Sequence, residues 1–212
     1  EETNEEDYKN AVMTLPLIGI AIGIFLFIIS SFRFIYDGFF ISSLMLLYYC
    51  IVTKTTNIKD VYRTLNYYIK PANQTDNISG IIGTVLICFM YLSLFRVVPV
   101  TSLIIMPAAG FSNLMILSKV IKRDLENTSI LKYCGNYHII AAFGISFLSA
   151  AILNYKLIIS LSLMFMLSGL IVSILDKRIK NVPSSVEGFI IEVSQIMFLI
   201  ITYVIRLGDT PL

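Results

Sequence analysis

Seven apolar runs, separated by polar or charged stretches, divide the chain at about 14–32, 38–53, 79–95, 97–118, 138–153, 156–175 and 188–205. A helix needs about 20 apolar residues to cross the hydrocarbon of a bilayer, with a range of about 17–25. Each run therefore predicts a membrane-crossing helix. The second and fifth are short, so they extend into polar flanks or cross where the bilayer is thin. Only Arg96 separates the third from the fourth, which requires a tight reversal there. Pro99 and Pro107 fall in the fourth run, where neighbouring helices can satisfy the carbonyls freed by a kink. The expected architecture is an all-α, polytopic integral membrane protein of about seven transmembrane helices. An acidic N-terminal tail covers 1–13, the membrane domain 14–206 and a C-terminal tail 207–212. Long polar loops lie at 54–78, 119–137 and 176–187.

Composition agrees. Apolar residues make up 57% of the 212 and charged ones only 14%, with a mean hydropathy of +0.81, against about 25% charged in ordinary soluble domains. So much apolar surface cannot be hidden in one soluble core, which excludes soluble, nucleic-acid-binding and disulfide-rich secreted classes. Cys50, Cys88 and Cys134 form no CxxC pair and read as buried thiols. His138 is the single histidine, so no zinc site is expected. Five acids, not a basic segment, precede the first run, so no secretory signal is expected.

The cations set an orientation. If seven helices alternate, one side carries Lys9, Lys54, Lys59, Arg63, Lys70, Lys119, Lys122, Arg123, Lys132, Lys177, Arg178 and Lys180. The other carries Arg33, Arg96, Lys156 and Arg206. Twelve against four predicts a cytoplasmic N-terminus, cytoplasmic long loops and a multi-pass protein of the cell membrane. Long polar loops cost ordering entropy and often carry function, so a site is expected to open to the cytoplasm.

Candidate chemistry clusters in three places. In loop 54–78, Asn57, Asp60 and Thr64 share one helical face, and Lys59 and Arg63 form an i, i+4 pair on another. The cations suit a phosphorylated ligand or an anionic lipid head group, or simply mark an interfacial helix. Asp76, Gly80 and Gly83 follow where the third run enters the membrane; the glycines allow close backbone approach or helix packing. Gly188, Glu192 and Gln195 repeat that spacing at the start of the last run. Glu192 is an acid inside an apolar stretch, where a charge costs about 2.5–3.5 kcal/mol on insertion scales and usually faces the bundle interior. Gly19 and Gly23 form a GxxxG that reads as helix packing. Phosphate-loop, HExxH and GxSxG motifs are absent from the sequence.

The order of these segments resembles the adenosylcobinamide-GDP ribazoletransferase (cobalamin synthase) family. Leu15-Pro16-Leu17-Ile18-Gly19 is similar to that family's "fPLiG" entry into the first helix. Asp76-Asn-Ile-Ser-Gly80-Ile-Ile-Gly83 resembles "DSRxGTxG", and Gly188-Phe-Ile-Ile-Glu192-Val-Ser-Gln195 resembles "GAxxELxE". The resemblance runs from about residue 5 to 205. It implies a Mg²⁺-dependent transfer joining α-ribazole, or its phosphate, to adenosylcobinamide-GDP with release of GMP. It also implies that Asp76 and Glu192 hold the metal, and that corrinoid and nucleoside substrates meet Asn57, Lys59, Arg63, Gly80, Gly83 and Gly188. The chain departs from the family at "HLDGLADTxD", where Asn57 replaces the histidine and Lys59, Arg63 and Asn66 replace aspartates. Ile78 and Phe111 stand where the family has arginines, and Pro183-Ser184-Ser185 where it has "TGD". Two other readings stay open: a non-catalytic paralogue acting as a scaffold or ligand-binding protein, with a membrane or cytoplasmic protein partner, and a small transporter. No nucleic-acid partner is expected.

Overall fold

In a computed structural model of the chain, residues 5–69, 78–119, 130–176 and 184–207 are described. Their regular elements are all helical: α1 (Glu5–Ser31), α2 (Gly38–Val52), α3 (Thr56–Ile69), α4 (Ile78–Val97), α5 (Ser102–Leu117), α6 (Asn136–Leu153), α7 (Tyr155–Asp176) and α8 (Val186–Leu207). Each of the seven apolar runs becomes a helix, and α3 is an eighth, formed in the first long loop. The first helix starts at Glu5, so most of the expected acidic tail is helical backbone.

Five helices have the length and apolarity to cross a membrane, or six if α2 and α3, bent by 86°, count as one broken span. The expected count of about seven is thus met only in part. The shortfall is in α2 and α5, with 15 and 16 residues, about 22 and 24 Å at the helical rise of about 1.5 Å per residue. In the fourth apolar run the turn accounts for it. Helix α4 continues through Arg96, and the reversal occupies Val98–Thr101, residues the run had contributed to the next helix.

Helix α5 needs little lipid-facing length because it is the central helix. Leu103, Ile105, Met106, Ala108, Ala109, Asn113 and Leu114 are all buried on it. The GxxxG of α1 lies against it: a Cβ on Gly19 would fall 2.6 Å from the Ala108 Cα, and one on Gly23 would meet the Ile104 carbonyl. Only hydrogen at these positions lets the two backbones approach so closely. A polar seam joins the other neighbours. The Asn113 amide donates to Ser194 Oγ at 2.6 Å and accepts from Ser168 Oγ at 2.9 Å, and Ser112 and Ser146 pair at 2.7 Å. Outward side chains such as Phe25, Phe89, Leu148 and Met166 are exposed, which fits a surface solvated by lipid.

The helix ends gather in two groups. At one end, Arg33 donates to the Phe95 and Arg96 carbonyls at 2.6 and 3.1 Å, and Arg206 donates to the Val97 carbonyl at 2.8 Å. These guanidinium groups satisfy carbonyls that the last turn of α4 leaves open. Asp37 caps α2 there, accepting from the Phe39 and Phe40 N–H groups at 2.9 and 3.0 Å. The other end holds α3 and the starts of α4 and α8. Cys134 also lies there, near Glu187, Ser118 and Lys119; burial foremost, and the Glu187 charge next, push its thiol up to about 11.

Candidate functional site

The site is organised by α3. Lys54 and Thr55 take left-handed backbone conformations, with φ of 51° and 55°, and the Thr55 N–H reaches back to the Cys50 carbonyl at 2.8 Å. This closes α2 and turns the chain by 86°. A left-handed conformation costs an L-residue roughly 1–2 kcal/mol, and a β-branched one is a true outlier there. Packing holds the turn. Asn57, Ile58, Val61 and Thr64 are buried, whereas Lys59, Arg63 and Tyr67 are exposed.

Glycines then bring α3 against two other helices. A Cβ on Gly188 would lie 2.6 Å from the Asp60 Cβ and 2.9 Å from the Asn57 Cα, so α8 approaches α3 almost backbone to backbone. Thr64 adds a hydrogen bond to Ser185 at 3.1 Å. On the adjoining flank, a Cβ on Gly80 would sit 2.6 Å from the Asn66 amide nitrogen, and the Gly80 N–H donates to Asn66 Oδ1 at 2.8 Å. Gly83 faces Leu65. The three candidate glycines therefore face α3 side chains and backbone, in the role small residues have in packed membrane helices.

Glu192 lies one turn beyond Gly188 and is fully buried. The hydroxyls of Tyr49 and Tyr91 donate to its two oxygens, each at 2.6 Å, the length of a charge-assisted O–H···O⁻ bond. Asn57 is a further polar neighbour of Glu192 and Tyr49. Tyr91 also lies 2.9 Å from Gln195 Oε1, while Gln195 Nε2 is buried without a partner. A phenol has one hydrogen and cannot donate to both. Turning the Gln195 amide over resolves this: its NH₂ then donates to the Tyr91 oxygen, and Tyr91 donates to Glu192. Gly110 makes the room, since a Cβ there would lie 2.7 Å from Gln195 Cγ.

Lys59 and Arg63 are both exposed on α3. Arg63 has Asp60 at 3.9 Å, with a side chain 56% exposed, a geometry worth little in water. Lys59 instead lines a groove against α4. Asp76, the other proposed metal ligand, lies outside the described residues. Among the described residues no group of three or more His, Cys, Asp or Glu side chains could hold a metal. Mg²⁺ wants about six oxygen ligands in octahedral geometry, and both Glu192 oxygens already accept from tyrosines. The described residues alone do not complete a site for the ion. His138 is used locally, its Nδ1 accepting from the Gly135 N–H at 3.0 Å.

Tyr49, Tyr91 and Gly110 were not singled out in the sequence. The available signal was two tyrosines deep inside apolar runs, since a buried phenol needs a partner. No protein-family model, curated protein or solved structure matches this chain. What the fold and site define is a helical, membrane-embedded protein with a buried Glu–Tyr–Tyr–Gln cluster beneath a packed surface arm.

Proposed function

We propose that this chain is a membrane-embedded relative of the adenosylcobinamide-GDP ribazoletransferases that binds a phosphorylated, corrinoid-type ligand at the α3–α8 face without carrying out the transfer. One observation supports it above the others. The segments that resemble the family's motifs, at Asn57–Asn66, Gly80–Gly83 and Gly188–Gln195, are far apart in the chain yet pack on one another. The exposed Arg63, 3.9 Å from Asp60, offers the solvent edge of that face a cation for a phosphate. Lys59 and Arg63 in place of acids, and a Glu192 engaged by two tyrosines, argue for binding rather than for metal-dependent transfer.

In this reading all seven helices connecting the two ends of the bundle are crossings, with the N-terminus and α3 cytoplasmic and the C-terminus outside. Reporter fusions after residues 119 and 154 test that, the first giving a cytoplasmic signal and the second an external one.

The functional test offers reconstituted protein adenosylcobinamide-GDP, α-ribazole and Mg²⁺. The expected result is saturable binding of adenosylcobinamide-GDP, weakened by Arg63→Gln, with no GMP released. Release of GMP would establish the transferase reading, in which Asp76 and Glu192 share Mg²⁺. No binding at all would refute a corrinoid ligand.

A further inference from the structure

The flank of α3 turned toward α4 carries a feature of its own. Thr55, Lys59 and Tyr62 of the arm and Ile81, Thr84 and Val85 of α4 line a groove of about 400 Å³. Its ends differ in chemistry. Lys59 is exposed at the rim, and among the described residues no carboxylate lies within 4.0 Å of its ammonium, unlike Arg63 with its Asp60. The opposite wall is apolar. Ile81 and Val85 are 55% and 45% exposed and continue into the outward Ile82, Leu86 and Phe89 of the same spanning helix. Between wall and rim, the Thr84 hydroxyl oxygen is closed to solvent and has no hydrogen-bond partner.

We propose that this groove binds one anionic phospholipid from the surrounding bilayer, its phosphate on Lys59 and its acyl chain along Ile81 and Val85. A soluble phosphate would use the cation and leave the apolar wall facing nothing. A phospholipid carries both chemistries, joined at the depth where an amphipathic arm meets a membrane helix. Basic side chains at that depth attract anionic head groups. The site lies on the opposite flank of α3 from the α3–α8 face, so it goes beyond the ligand reading above, and its test uses no corrinoid. Its consequence is mechanical: a lipid wedged between α3 and α4 braces an arm whose connection to α2 is strained.

The experiment reconstitutes the full chain in nanodiscs of equal parts phosphatidylcholine and phosphatidylglycerol, then counts retained lipids by native mass spectrometry. Wild type is expected to keep phosphatidylglycerol in preference to phosphatidylcholine. Lys59→Gln, at an exposed position, should lower that retention about fivefold, the effect of one basic side chain near an anionic surface. Val85→Trp, which fills the groove and keeps the cation, should lower it as well, with Ile81→Trp in its place if helical circular dichroism shows the first variant misfolded. Lys54→Gln, a nearby cation outside the groove, should retain the wild-type amount. Equal retention of both lipids by wild type overturns the proposal. So does a loss in Lys54→Gln as large as in Lys59→Gln, which would mean diffuse surface attraction. Undiminished retention in the groove-filling variant would put the lipid elsewhere. Displacement of the lipid by excess glycerol 3-phosphate would make this a soluble-phosphate site.

Discussion

Replacing Tyr91 by Phe removes one hydroxyl from the middle of the bundle and leaves the packing in place. The ring keeps its neighbours Tyr49 and Phe95, at centroid distances of 5.6 and 5.3 Å. What is lost is the 2.6 Å donor to Glu192 Oε2 and the partner that holds Gln195. A hydrogen bond to a charged group is worth about 1.5–3 kcal/mol, but side-chain hydrogen bonds between membrane helices average only about 0.6, because the unfolded chain in the membrane also finds partners. Glu192, Tyr91 and Gln195 are all at 0% exposure, so no water can replace the donor, and the upper range applies: about 2 kcal/mol. Tyr49→Phe should cost about the same, since its bond has the same length and burial. The double variant should cost about 3 rather than 4 kcal/mol, because a carboxylate stripped of both donors takes up a proton instead of staying charged. SDS-driven unfolding in mixed micelles, followed by circular dichroism, gives these differences against wild type. A Tyr91→Phe variant indistinguishable from wild type would refute the reasoning, as would strict additivity in the double variant. The first result would mean the hydroxyls are not what keeps Glu192 buried, and the second that the acid does not escape the loss of its donors by taking up a proton.

Three further outcomes follow from local geometry. Gly23→Ala puts a methyl group onto the Ile104 carbonyl and should destabilise the same unfolding transition by about 1–3 kcal/mol; Gly144→Ala, where nothing lies within 4 Å, should be neutral or slightly stabilising. Lys54→Gly relieves the left-handed backbone at φ 51° and should gain up to about 1 kcal/mol, the strain relieved less the extra entropy of glycine, whereas a loss would show that the corner is not strained. In a Cys50→Ser/Cys88→Ser background, Cys134 should alkylate about a hundredfold more slowly at pH 8 than an ordinary thiol, with the rate climbing as pH approaches its value of about 11. A pH-independent rate would contradict that raised value.

Much of the fold was legible because apolar runs in a membrane protein have few alternatives: backbone groups in lipid must be satisfied within the segment. The GxxxG of α1 was legible for a similar reason, since Gly19 and Gly23 have no side chain to offer and serve as a surface for α5. The corner before α3 was not. It is made by Lys54 and Thr55, neither of which signals a left-handed turn as glycine or asparagine would. The reversal after α4 was displaced from Arg96 to Val98–Thr101 because Arg33 and Arg206, remote in sequence, cap the carbonyls that end the helix.

The site divides along the same line between local pattern and tertiary partner. Helical spacing correctly separated Asn57, Asp60 and Thr64 from the two cations, and the first three do face α8 or its entry. It then treated Lys59 and Arg63 as one basic surface, because an i, i+4 pair lies on one face of an isolated helix. In the bundle the two have different surroundings: Lys59 lines a groove against α4, and Arg63 lies 3.9 Å from Asp60. Glu192 shows the same limit with higher stakes. Its position in an apolar run predicted an inward-facing, functional acid, but an acid that is to bind a ligand and one that fixes a core look alike until their donors are known. Two tyrosines at 2.6 Å make Glu192 an acceptor with both oxygens engaged. Among the described residues of the arm above it, the exposed charges that remain for ligand chemistry are basic, Lys59 and Arg63.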